Sequence, residues 1–486
     1  MIALKDASLL RSRCYLNGHW IGSDSGAFFP VHDPATGEEV ARVPALGIAE
    51  TRRAIEAAAG AFPAWRDLSA AARAETLKRW HRLILDYRED LAQIITLENG
   101  KPLSESRGEV DYGAGFVEWF AEEALRAYGE VIPSPWPGRR LLTLKQPVGV
   151  CAAITPWNFP LAMITRKCAA ALAAGCTVVV RPASETPLTA LALAELADRA
   201  GVPAGVLNVI TGRAEVVGKE LATHPAIRKL SFTGSTRVGR LLMEQAAPTL
   251  KRLSLELGGN APFIVFADAD LEAALSGAIL AKFRNGGQSC VAANRFLIQE
   301  EIYQEFAEKL AQRIAALKVG PGFDEGIEVG PLIGAQAVEK VEDFIADAVA
   351  KGAEVVTGGG RHPLGNNFFQ PTLLKNVRPD MRIFAEEIFG PVAALTVFAD
   401  EAEAISLANA SEYGLAAYFY TQDLNRAFGV AEALECGMVG VNVGRVSTPV
   451  APFGGVKQSG FGREGSRYGI EEYLEIKYLC LGVGEK

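Results

Sequence analysis

A repeated strand–loop–helix pattern from residue 149 to residue 239 is the feature that most restricts the fold of this chain. Short apolar segments typical of buried strands alternate here with helical segments, two of which end at a glycine. The pattern predicts strands over 150–154, 177–180, 206–210 and 227–233, and helices over 161–174, 188–200 and 215–223. Units of this length predict a parallel sheet with helices on both faces. In such sheets, ligands bind beside the carboxyl ends of the strands.

The remainder of the chain is predicted to contain further strands and helices. After residue 290 the pattern predicts helices over 306–317, 338–350 and 402–409, and strands over 354–357 and 439–442. Before residue 130 it predicts a hairpin around Asn17-Gly18 and helices over 51–62, 69–99 and 105–128. Extended segments at 141–145 and 473–481 would offer exposed edges, which favour pairing with a second subunit.

Charge and cysteine usage exclude several classes of protein. The 486 residues carry a net charge of -8, whereas a general nucleic-acid-binding protein needs a basic face. Seven scattered cysteines without a Cys-x-x-Cys pair predict a reducing compartment, no metal site and no disulfide framework. The N-terminus does not have the apolar run of a signal peptide, and the charge-free run 168–180 is too short to span a bilayer. The sequence therefore predicts a cytoplasmic protein with no membrane or nucleic-acid partner.

Cys290 ends the polar segment 283–290, which reads Phe-Arg-Asn-Gly-Gly-Gln-Ser-Cys. This segment lies between a predicted apolar helix over 271–283 and a predicted strand over 295–299, so it forms a loop or a helix end. A thiol in such a place can reach a ligand, which is consistent with a nucleophile. Free cysteines are also among the most frequently buried residues, so the pattern alone leaves a core thiol open.

Three further groups lie at predicted strand ends. Gly234 and Gly239 begin a helix whose backbone N–H groups can hold a phosphate, although an ordinary turn has the same spacing. Glu256 lies between two leucines and is either a partly desolvated base or a carboxylate on the rim. Asn158 lies between two aromatic residues in a proline-flanked loop and is either an oxyanion donor or a loop cap.

Six motifs together resemble the aldehyde dehydrogenase superfamily. They are Pro-Trp-Asn-Phe-Pro at 156–160, Phe-Thr-Gly-Ser at 232–235, Leu-Glu-Leu-Gly-Gly at 255–259, Gly-Gln-Ser-Cys at 287–290, Glu-Ile-Phe-Gly-Pro at 387–391 and Pro-Phe-Gly-Gly-Val-Lys at 452–457. They occur in the family's order and spacing, and the resemblance covers nearly the whole chain. Segments 163–167, 282–285 and 459–465 look most like those of succinate-semialdehyde dehydrogenases.

The resemblance implies an α/β fold with two parallel-sheet βα domains and a small β oligomerisation arm. Residues 1–130 and 150–256 would form the dinucleotide-binding domain, and residues 257–445 the catalytic domain. Residues 131–149 and 470–486 would form the arm. The same resemblance implies a homodimer or a homotetramer.

The resemblance also implies oxidation of an aldehyde through a covalent thioester. Cys290 would attack the aldehyde carbon, and Asn158 together with the backbone N–H of Cys290 would stabilise the oxyanion. Glu256 would activate the water that releases the acid, and Lys167 would lie near this network. An unperturbed thiol is only about 3% thiolate at neutral pH, so Cys290 requires local activation.

Cofactor-binding residues are implied in the same way. The positions expected to line the dinucleotide are Trp157, Asn158, Gly234, Ser235, Leu257, Glu387 and Phe389. At Arg181 and Ser184 the chain departs from NAD-preferring relatives, which usually have lysine and glutamate there. A carboxylate at residue 184 would repel a 2′-phosphate by about 3 kcal/mol, whereas the Arg181 guanidinium can bind it. We therefore expect NADP to be preferred over NAD.

The substrate is expected to be a small aldehyde with an ω-carboxylate. The pattern alone leaves an ordinary surface charge open for Arg166 and for Arg284, but both match residues that hold the carboxylate in succinate-semialdehyde dehydrogenases. Ser447 or Thr448 would add a hydroxyl donor. Succinate semialdehyde is then the expected substrate.

Two alternatives stay open. Arg445 and Pro449 are unusual in the loop 444–449, which leaves glutarate semialdehyde as the main rival substrate. An alternative of a different class is a catalytically retired binding protein on the same fold, although the intact set of Cys290, Glu256 and Asn158 argues against it. A cysteine hydrolase would need a histidine partner, and none of the five histidines lies in these loops.

Overall fold

The computed structural model describes residues 3–484 and has an α/β fold built on two large sheets and three small ones. The strands in this part of the chain are β1 Cys14–Leu16, β2 His19–Ile21, β3 Phe28–His32, β4 Glu39–Pro44, β5 Val131–Ile132, β6 Arg139–Pro147, β7 Val150–Ile154, β8 Thr177–Arg181, β9 Leu207–Val209, β10 Ile227–Thr233, β11 Arg252–Glu256, β12 Ala261–Val265, β13 Ala293–Gln299, β14 Glu354–Thr357, β15 Thr372–Lys375, β16 Val392–Phe398, β17 Tyr413–Gly414, β18 Ala416–Tyr420, β19 Met438–Val441, β20 Val456–Lys457, β21 Gly460–Phe461 and β22 Leu474–Gly482. The α-helices are α1 Ile48–Arg66, α2 Ala70–Asp86, α3 Arg88–Asn99, α4 Leu103–Glu123, α5 Ala162–Ala174, α6 Leu188–Arg199, α7 Lys219–Thr223, α8 Thr236–Ala246, α9 Leu271–Phe283, α10 Tyr303–Ala315, α11 Ala335–Ala350, α12 Arg382–Ala385, α13 Glu401–Asn409, α14 Leu424–Ala433 and α15 Ser466–Glu471.

The first large sheet has eight strands in the order β2-β1-β9-β8-β7-β10-β11-β21. Its five central strands are parallel, and β1, β2 and β21 are antiparallel edges. The register pairs Ile154 with Arg181 and with Phe232, and it pairs Thr233 with Glu256. The carboxyl ends of four strands, where ligands bind in such sheets, therefore meet along one edge. This parallel sheet confirms the fold class that the sequence predicts.

The second large sheet has seven strands in the order β14-β15-β16-β13-β12-β18-β19, and only β14 is antiparallel. The short segment 257–260 joins the carboxyl end of β11 to the amino end of β12. A Cβ on Gly259 would lie 2.2 Å from the carbonyl oxygen of Cys290, so the two segments approach too closely for any side chain there. The carboxyl edge of the first sheet thus meets the Cys290 loop of the second.

A three-stranded antiparallel sheet of β22, β6 and β5 presents apolar side chains to solvent. Val131, Ile476 and Tyr478 are 74%, 71% and 55% exposed. Self-association through this sheet stays a prediction, as do the proposed domain boundaries. Within residues 3–484, no helix combines the length and apolar character needed to cross a bilayer.

Several local predictions are confirmed and others are wrong. The hairpin forms at Asn17-Gly18, both with positive φ, and β10 has the predicted bounds. The single helix predicted over 69–99 is instead two helices that break at Tyr87. No glycine or proline marks this break. Both helices pack on α4 and α6, but only α2 also packs closely on α5, so tertiary contacts differ on the two sides of Tyr87.

Two other predicted helices differ in their bounds. The helix predicted over 105–128 ends at Glu123 and continues as a 3₁₀ turn over Ala124–Arg126. The helix predicted over 215–223 begins as a π-helical turn, Ala214–Gly218, before α7.

Helices α4 and α5 pack closely at Gly113. A Cβ on Gly113 would lie 2.1 Å from Leu161 Cδ2 and 3.1 Å from the Thr165 hydroxyl oxygen. Helix α5 carries Arg166 and Lys167, so this contact sets the position of two predicted site residues.

We expect Gly113→Ala to lower the free energy of unfolding by about 1–3 kcal/mol, because the added methyl group overpacks this contact. Urea or thermal denaturation measures the change. Gly108→Ala, on the same helix, is the matched control, because a Cβ there meets nothing within 4 Å. It should be neutral or stabilise by up to about 1 kcal/mol. Equal effects of the two substitutions would contradict this account of the packing.

Candidate active site

The structure brings the predicted nucleophile together with the predicted carboxylate-binding residues. One small cavity of about 20 Å³ is lined by Tyr112, Phe159, Met163, Arg166, Arg284, Ser289, Cys290, Val291, Ser447 and Phe453. A larger outer cavity of about 370 Å³ shares Tyr112, Phe159 and Arg284 with it. Thr448 is not among the described residues that line either cavity.

Left-handed backbone conformations place Cys290 at this cavity. The turn Arg284–Gly287 contains Asn285, Gly286 and Gly287 with φ of 52°, 61° and 75°. A Cβ on Gly287 would lie 2.2 Å from the Gly390 carbonyl oxygen, so glycine is required there on two grounds. The turn leaves the Cys290 side chain half-buried and in contact with the cavity.

The Cys290 thiol is protonated at neutral pH in this environment. Burial raises its pKa to about 12, the negative charge of Glu387 adds to the rise, and the Arg166 guanidinium opposes it. Since the thiolate is the nucleophile, attack by Cys290 requires a base that removes its proton.

Asn158 is 4% exposed and is fixed from both sides of the site. Its side-chain Nδ2 donates to the Gln288 carbonyl at 3.0 Å, which fixes the amide orientation and leaves one N–H for a ligand. Its own carbonyl accepts from Lys101 Nζ at 2.7 Å and from Asn285 Nδ2 at 2.9 Å. This geometry suits an oxyanion donor, because the N–H is held in place before any ligand binds.

Glu256 and Glu464 are two buried acids with opposite surroundings. Glu256 is 2% exposed, and neither of its carboxyl oxygens has a hydrogen-bond partner among residues 3–484. Burial and the charge of Glu464 raise the pKa of Glu256 well above its usual value. Burial also acts on Glu464, but ion pairs with Arg166 and Lys167 hold its pKa below the usual value. A carboxyl group with a raised pKa is a strong base once it is ionised.

Lys167 lies in this acid network and does not line the cavity. It is 1% exposed, and its Nζ donates to the Ser231 hydroxyl at 3.1 Å as well as to Glu464. Its position therefore allows it to act on Glu256 through Glu464.

The two predicted substrate arginines differ in what surrounds them. Arg166 is 1% exposed, pairs with Glu464, and lies with Cζ 4.0 Å from the Phe453 ring centroid. Its Nη2 has no hydrogen-bond partner within the described residues. Arg284 is half-buried, lies 5.2 Å from the Phe159 ring centroid and lines both cavities. Both guanidinium groups can therefore contact an anion that enters from the outer cavity.

Buried polar atoms at three neighbouring strand ends fit a polar ligand on the first sheet. Thr155 Oγ1 after β7, Arg181 Nε on β8 and Thr233 Oγ1 on β10 have no hydrogen-bond partner in the part of the chain described. Buried polar groups normally have partners, so their common position indicates a ligand-binding crevice.

Three predicted cofactor residues, Gly234, Ser235 and Leu257, directly follow the carboxyl ends of β10 and β11. Ser235 caps α8 by accepting from the Val238 N–H at 3.4 Å, and the Gly234 N–H donates to the Glu256 carbonyl at 3.1 Å. Leu257 packs against α8 at Gly239, where a Cβ would lie 2.5 Å from its side chain.

Glu387, Phe389 and Trp157 form a second group near Cys290. Glu387 accepts from the Gly259 N–H at 3.0 Å, and burial raises its pKa to about 6. The Trp157 and Phe389 rings meet edge to face at 5.6 Å. Phe389 has a φ of 56°, which is a strained conformation for a bulky residue.

Arg181 and Ser184 contact each other at the end of β8. Arg181 Nη2 donates to the Ser184 hydroxyl at 3.0 Å and to the Gly212 carbonyl at 3.1 Å. Arg181 is 8% exposed, whereas Ser184 is partly exposed.

Sequence reasoning missed several residues of this site. They include Glu105, Glu109 and Tyr112 on α4, which line the outer cavity, and Lys101 just before this helix, which donates to the Asn158 carbonyl. Glu464 lies in the segment 459–465, to which the family resemblance assigns no charged role. The available signals were an acid among glycines, Glu464, and a lysine next to a glycine C-cap, Lys101. Neither signal shows which residue, distant in the sequence, the charged group contacts.

Among the residues that the structure describes, no three His, Cys, Asp or Glu side chains are grouped to hold a metal ion.

Comparisons with known proteins agree with the fold. A model of the aldehyde dehydrogenase family matches residues 20–479. The chain is 58% identical over 479 residues to glutarate-semialdehyde dehydrogenase of Pseudomonas aeruginosa, covering 99% of each chain. It is also 58% identical over 480 residues to succinate-semialdehyde dehydrogenase (NADP(+)) of Escherichia coli, covering 99% of this chain and 100% of that one. The crystal structure of succinate-semialdehyde dehydrogenase from Burkholderia pseudomallei matches with a TM-score of 0.98 and 58% identity, covering 99% of this chain and 100% of that one.

We expect alkylation of Cys290 by iodoacetamide to accelerate about tenfold per pH unit from about pH 7 to pH 9, because thiolate is the reactive form. With a pKa of about 12, its fraction rises over this whole range. Peptide mass spectrometry resolves Cys290 from the other six cysteines. Glu387→Gln removes one cause of the raised pKa and should speed alkylation at each pH. A rate that levels off below about pH 9 would contradict this assignment.

Proposed function

This chain belongs to the aldehyde dehydrogenase family, and on that premise we propose that it oxidises a short ω-carboxylate aldehyde to the acid. The proposed substrate is succinate semialdehyde, and the proposed hydride acceptor is a nicotinamide cofactor. The observation that carries this proposal is the common cavity of Cys290, Arg166, Arg284 and Ser447. A nucleophile and an anion site in one cavity suit an aldehyde with a carboxylate at its other end.

Binding of the carboxylate would orient the aldehyde. Arg284 and Arg166 Nη2, which has no hydrogen-bond partner within residues 3–484, would supply charged donors, and the Ser447 hydroxyl would supply a neutral one. With the carboxylate held there, the carbonyl carbon would lie at Cys290 Sγ. This arrangement lowers the entropy cost of the attack.

In the first step, Sγ of Cys290 would bond to the carbonyl carbon and form a thiohemiacetal. The thiol proton would pass to an ionised Glu256 carboxylate, directly or through a water molecule. The second N–H of Asn158 Nδ2 would stabilise the negative charge on the oxygen. Removal of one such donor typically costs about 10²–10³ in rate.

Bound NAD(P)⁺ would supply a hydride acceptor, and loss of hydride from the thiohemiacetal carbon would leave a thioester on Cys290. Trp157, Phe389 and Glu387 would hold the ring and ribose beside Sγ. Once Glu256 has released the thiol proton to solvent, it would take a proton from water as the hydroxide adds to the thioester carbon. Collapse of that adduct would break the C–S bond, release the acid and pass the proton from Glu256 to the Cys290 thiolate.

We propose NADP as the preferred cofactor. Support comes from the uncharged Ser184 beside Arg181. A carboxylate at residue 184 would repel a 2′-phosphate, and serine does not have one. Arg181 Nε, buried without a partner within residues 3–484, adds a donor at this strand end.

Glutarate semialdehyde is the second candidate substrate. Arg445 and Arg284 both line the outer cavity. Burial lowers the pKa of Arg445, and the positive charge of Arg284 lowers it further. A carboxylate one carbon farther from Cys290 could contact both groups. The ratio of kcat/KM for the four-carbon and five-carbon aldehydes distinguishes the two candidates, and absence of any cofactor reduction with either would favour a retired binding protein.

We expect Arg284→Ala to lower kcat/KM for succinate semialdehyde about 10- to 150-fold, mainly through KM, because a hydrogen bond to a charged group is lost. The uncharged aldehyde butanal should be affected far less. Arg284→Lys, which keeps the charge, is the matched control and should retain part of the preference. Equal losses for the charged and uncharged aldehydes would refute the anion site.

We expect Ser184→Glu to shift the ratio of kcat/KM for NADP over NAD towards NAD by about 100-fold, because a carboxylate would then face the 2′-phosphate. Initial rates with each cofactor measure the shift. Ser184→Ala, which removes the hydroxyl without adding charge, should change the ratio much less. No shift towards NAD in Ser184→Glu would count against the proposed cofactor preference.

A further inference from the structure

The active-site loops are held by a set of buried charged side chains. These side chains lie just before α4 and within its first two turns. Lys101 is 2% exposed, and its Nζ pairs with Glu109 Oε2 at 2.6 Å. The same Nζ lies 4.2 Å from the Phe159 ring centroid, and Arg284 lies on that ring as well. Burying a lysine is costly unless its charge is matched, so each contact of this ammonium restricts its position.

The contact of Lys101 that bears on the chemistry is its hydrogen bond to Asn158. Lys101 Nζ donates to the Asn158 carbonyl at 2.7 Å, on the same residue whose side-chain Nδ2 donates to the Gln288 carbonyl, two residues before Cys290. A charge-assisted hydrogen bond of this length is roughly twice as strong as a neutral one. The backbone of Asn158 is therefore held by a cation that does not line the cavity around Cys290.

Two acids of α4, Glu109 and Glu105, connect the same support to the neighbouring loops. Glu109 Oε1 accepts from the Leu161 N–H at 2.8 Å and from the Ala162 N–H at 3.2 Å, which fixes the start of α5. Glu105 Oε2 accepts from the Asn285 N–H at 2.8 Å, which fixes the turn before Cys290. One end of α4 thus holds the Asn158 loop, the start of α5 and the Cys290 loop in fixed relation.

We propose that Lys101 is a positioning residue of the proposed reaction, and that it acts by holding the Asn158 amide where the oxyanion forms. The inference rests on the proposed function, since it requires Asn158 to be the oxyanion donor. Loss of the Lys101 hydrogen bond would let the Asn158 peptide shift. Small displacements of such a group, about 1 Å, can lower a rate about 10²-fold.

A double-mutant cycle tests this role in the full-length protein. Lys101→Met is made together with Glu109→Gln, so that neither charge of the pair is left buried alone. This uncharged pair, Asn158→Ala and their combination are compared with the unsubstituted protein by the single-turnover rate of cofactor reduction. Alkylation of Cys290 and the Kd of the cofactor are measured on the same proteins.

We expect the uncharged pair to lower the rate of cofactor reduction about 10- to 100-fold, with alkylation and cofactor Kd unchanged. On the Asn158→Ala background it should cause no further loss, because residues that act through one another are not additive. Lys251→Met is the matched control. Lys251 is also buried and donates to backbone carbonyls, those of His224 at 2.8 Å and Ile227 at 3.3 Å, but it precedes β11 at the end opposite Glu256. Its substitution should leave the rate unchanged.

Three results would overturn the inference: an unchanged rate in the uncharged pair, an equal loss with and without Asn158, or failure of the protein with the uncharged pair to fold. A full rate in Asn158→Ala is a different outcome. It would remove Asn158 from the proposed oxyanion site, and with it the proposed mechanism, whatever Lys101 does.

Discussion

The unequal sharing of two cations between two buried acids is the interaction on which the site depends. Arg166 and Lys167 both pair with Glu464, so Glu464 stays ionised inside the protein. Glu256 lies within range of that negative charge and has no cation of its own hydrogen-bonded to it within residues 3–484. The pKa values of the two acids are therefore driven apart. Such separation is how proteins obtain a base from an ordinary carboxyl group.

The fold explains why these groups can meet at one place. The carboxyl ends of β7, β8, β10 and β11 lie along one edge of the first sheet, and the linker 257–260 leads from that edge directly to the second sheet. Glycine at 259 and 287 allows backbone contacts that any side chain would prevent. Cys290 can thus lie between an acid from one sheet and arginines from α5 and the 284–287 turn.

The sequence predicted the parts of this structure that depend on local pattern. The alternation of apolar strands and helices predicted the parallel sheet, and Asn17-Gly18 predicted its hairpin, because turn chemistry and periodicity are local properties. The family resemblance supplied the candidate residues, and the structure places Cys290, Arg166, Arg284 and Ser447 in one cavity. The break at Tyr87 and the support from Lys101 and Glu109 could not be predicted, since both are set by contacts between segments far apart in the sequence.

The hydrogen bonds to the Asn158 carbonyl restrict how the protein can open, in addition to positioning the side-chain amide. It accepts one hydrogen bond from Lys101, which leads into α4, and another from Asn285, which belongs to the turn that precedes Cys290. Any hinge opening that separated these segments would break both bonds inside a desolvated interior, where lost hydrogen bonds are expensive. The outer cavity, which shares Tyr112, Phe159 and Arg284 with the small cavity, offers a route to Sγ that leaves both bonds intact.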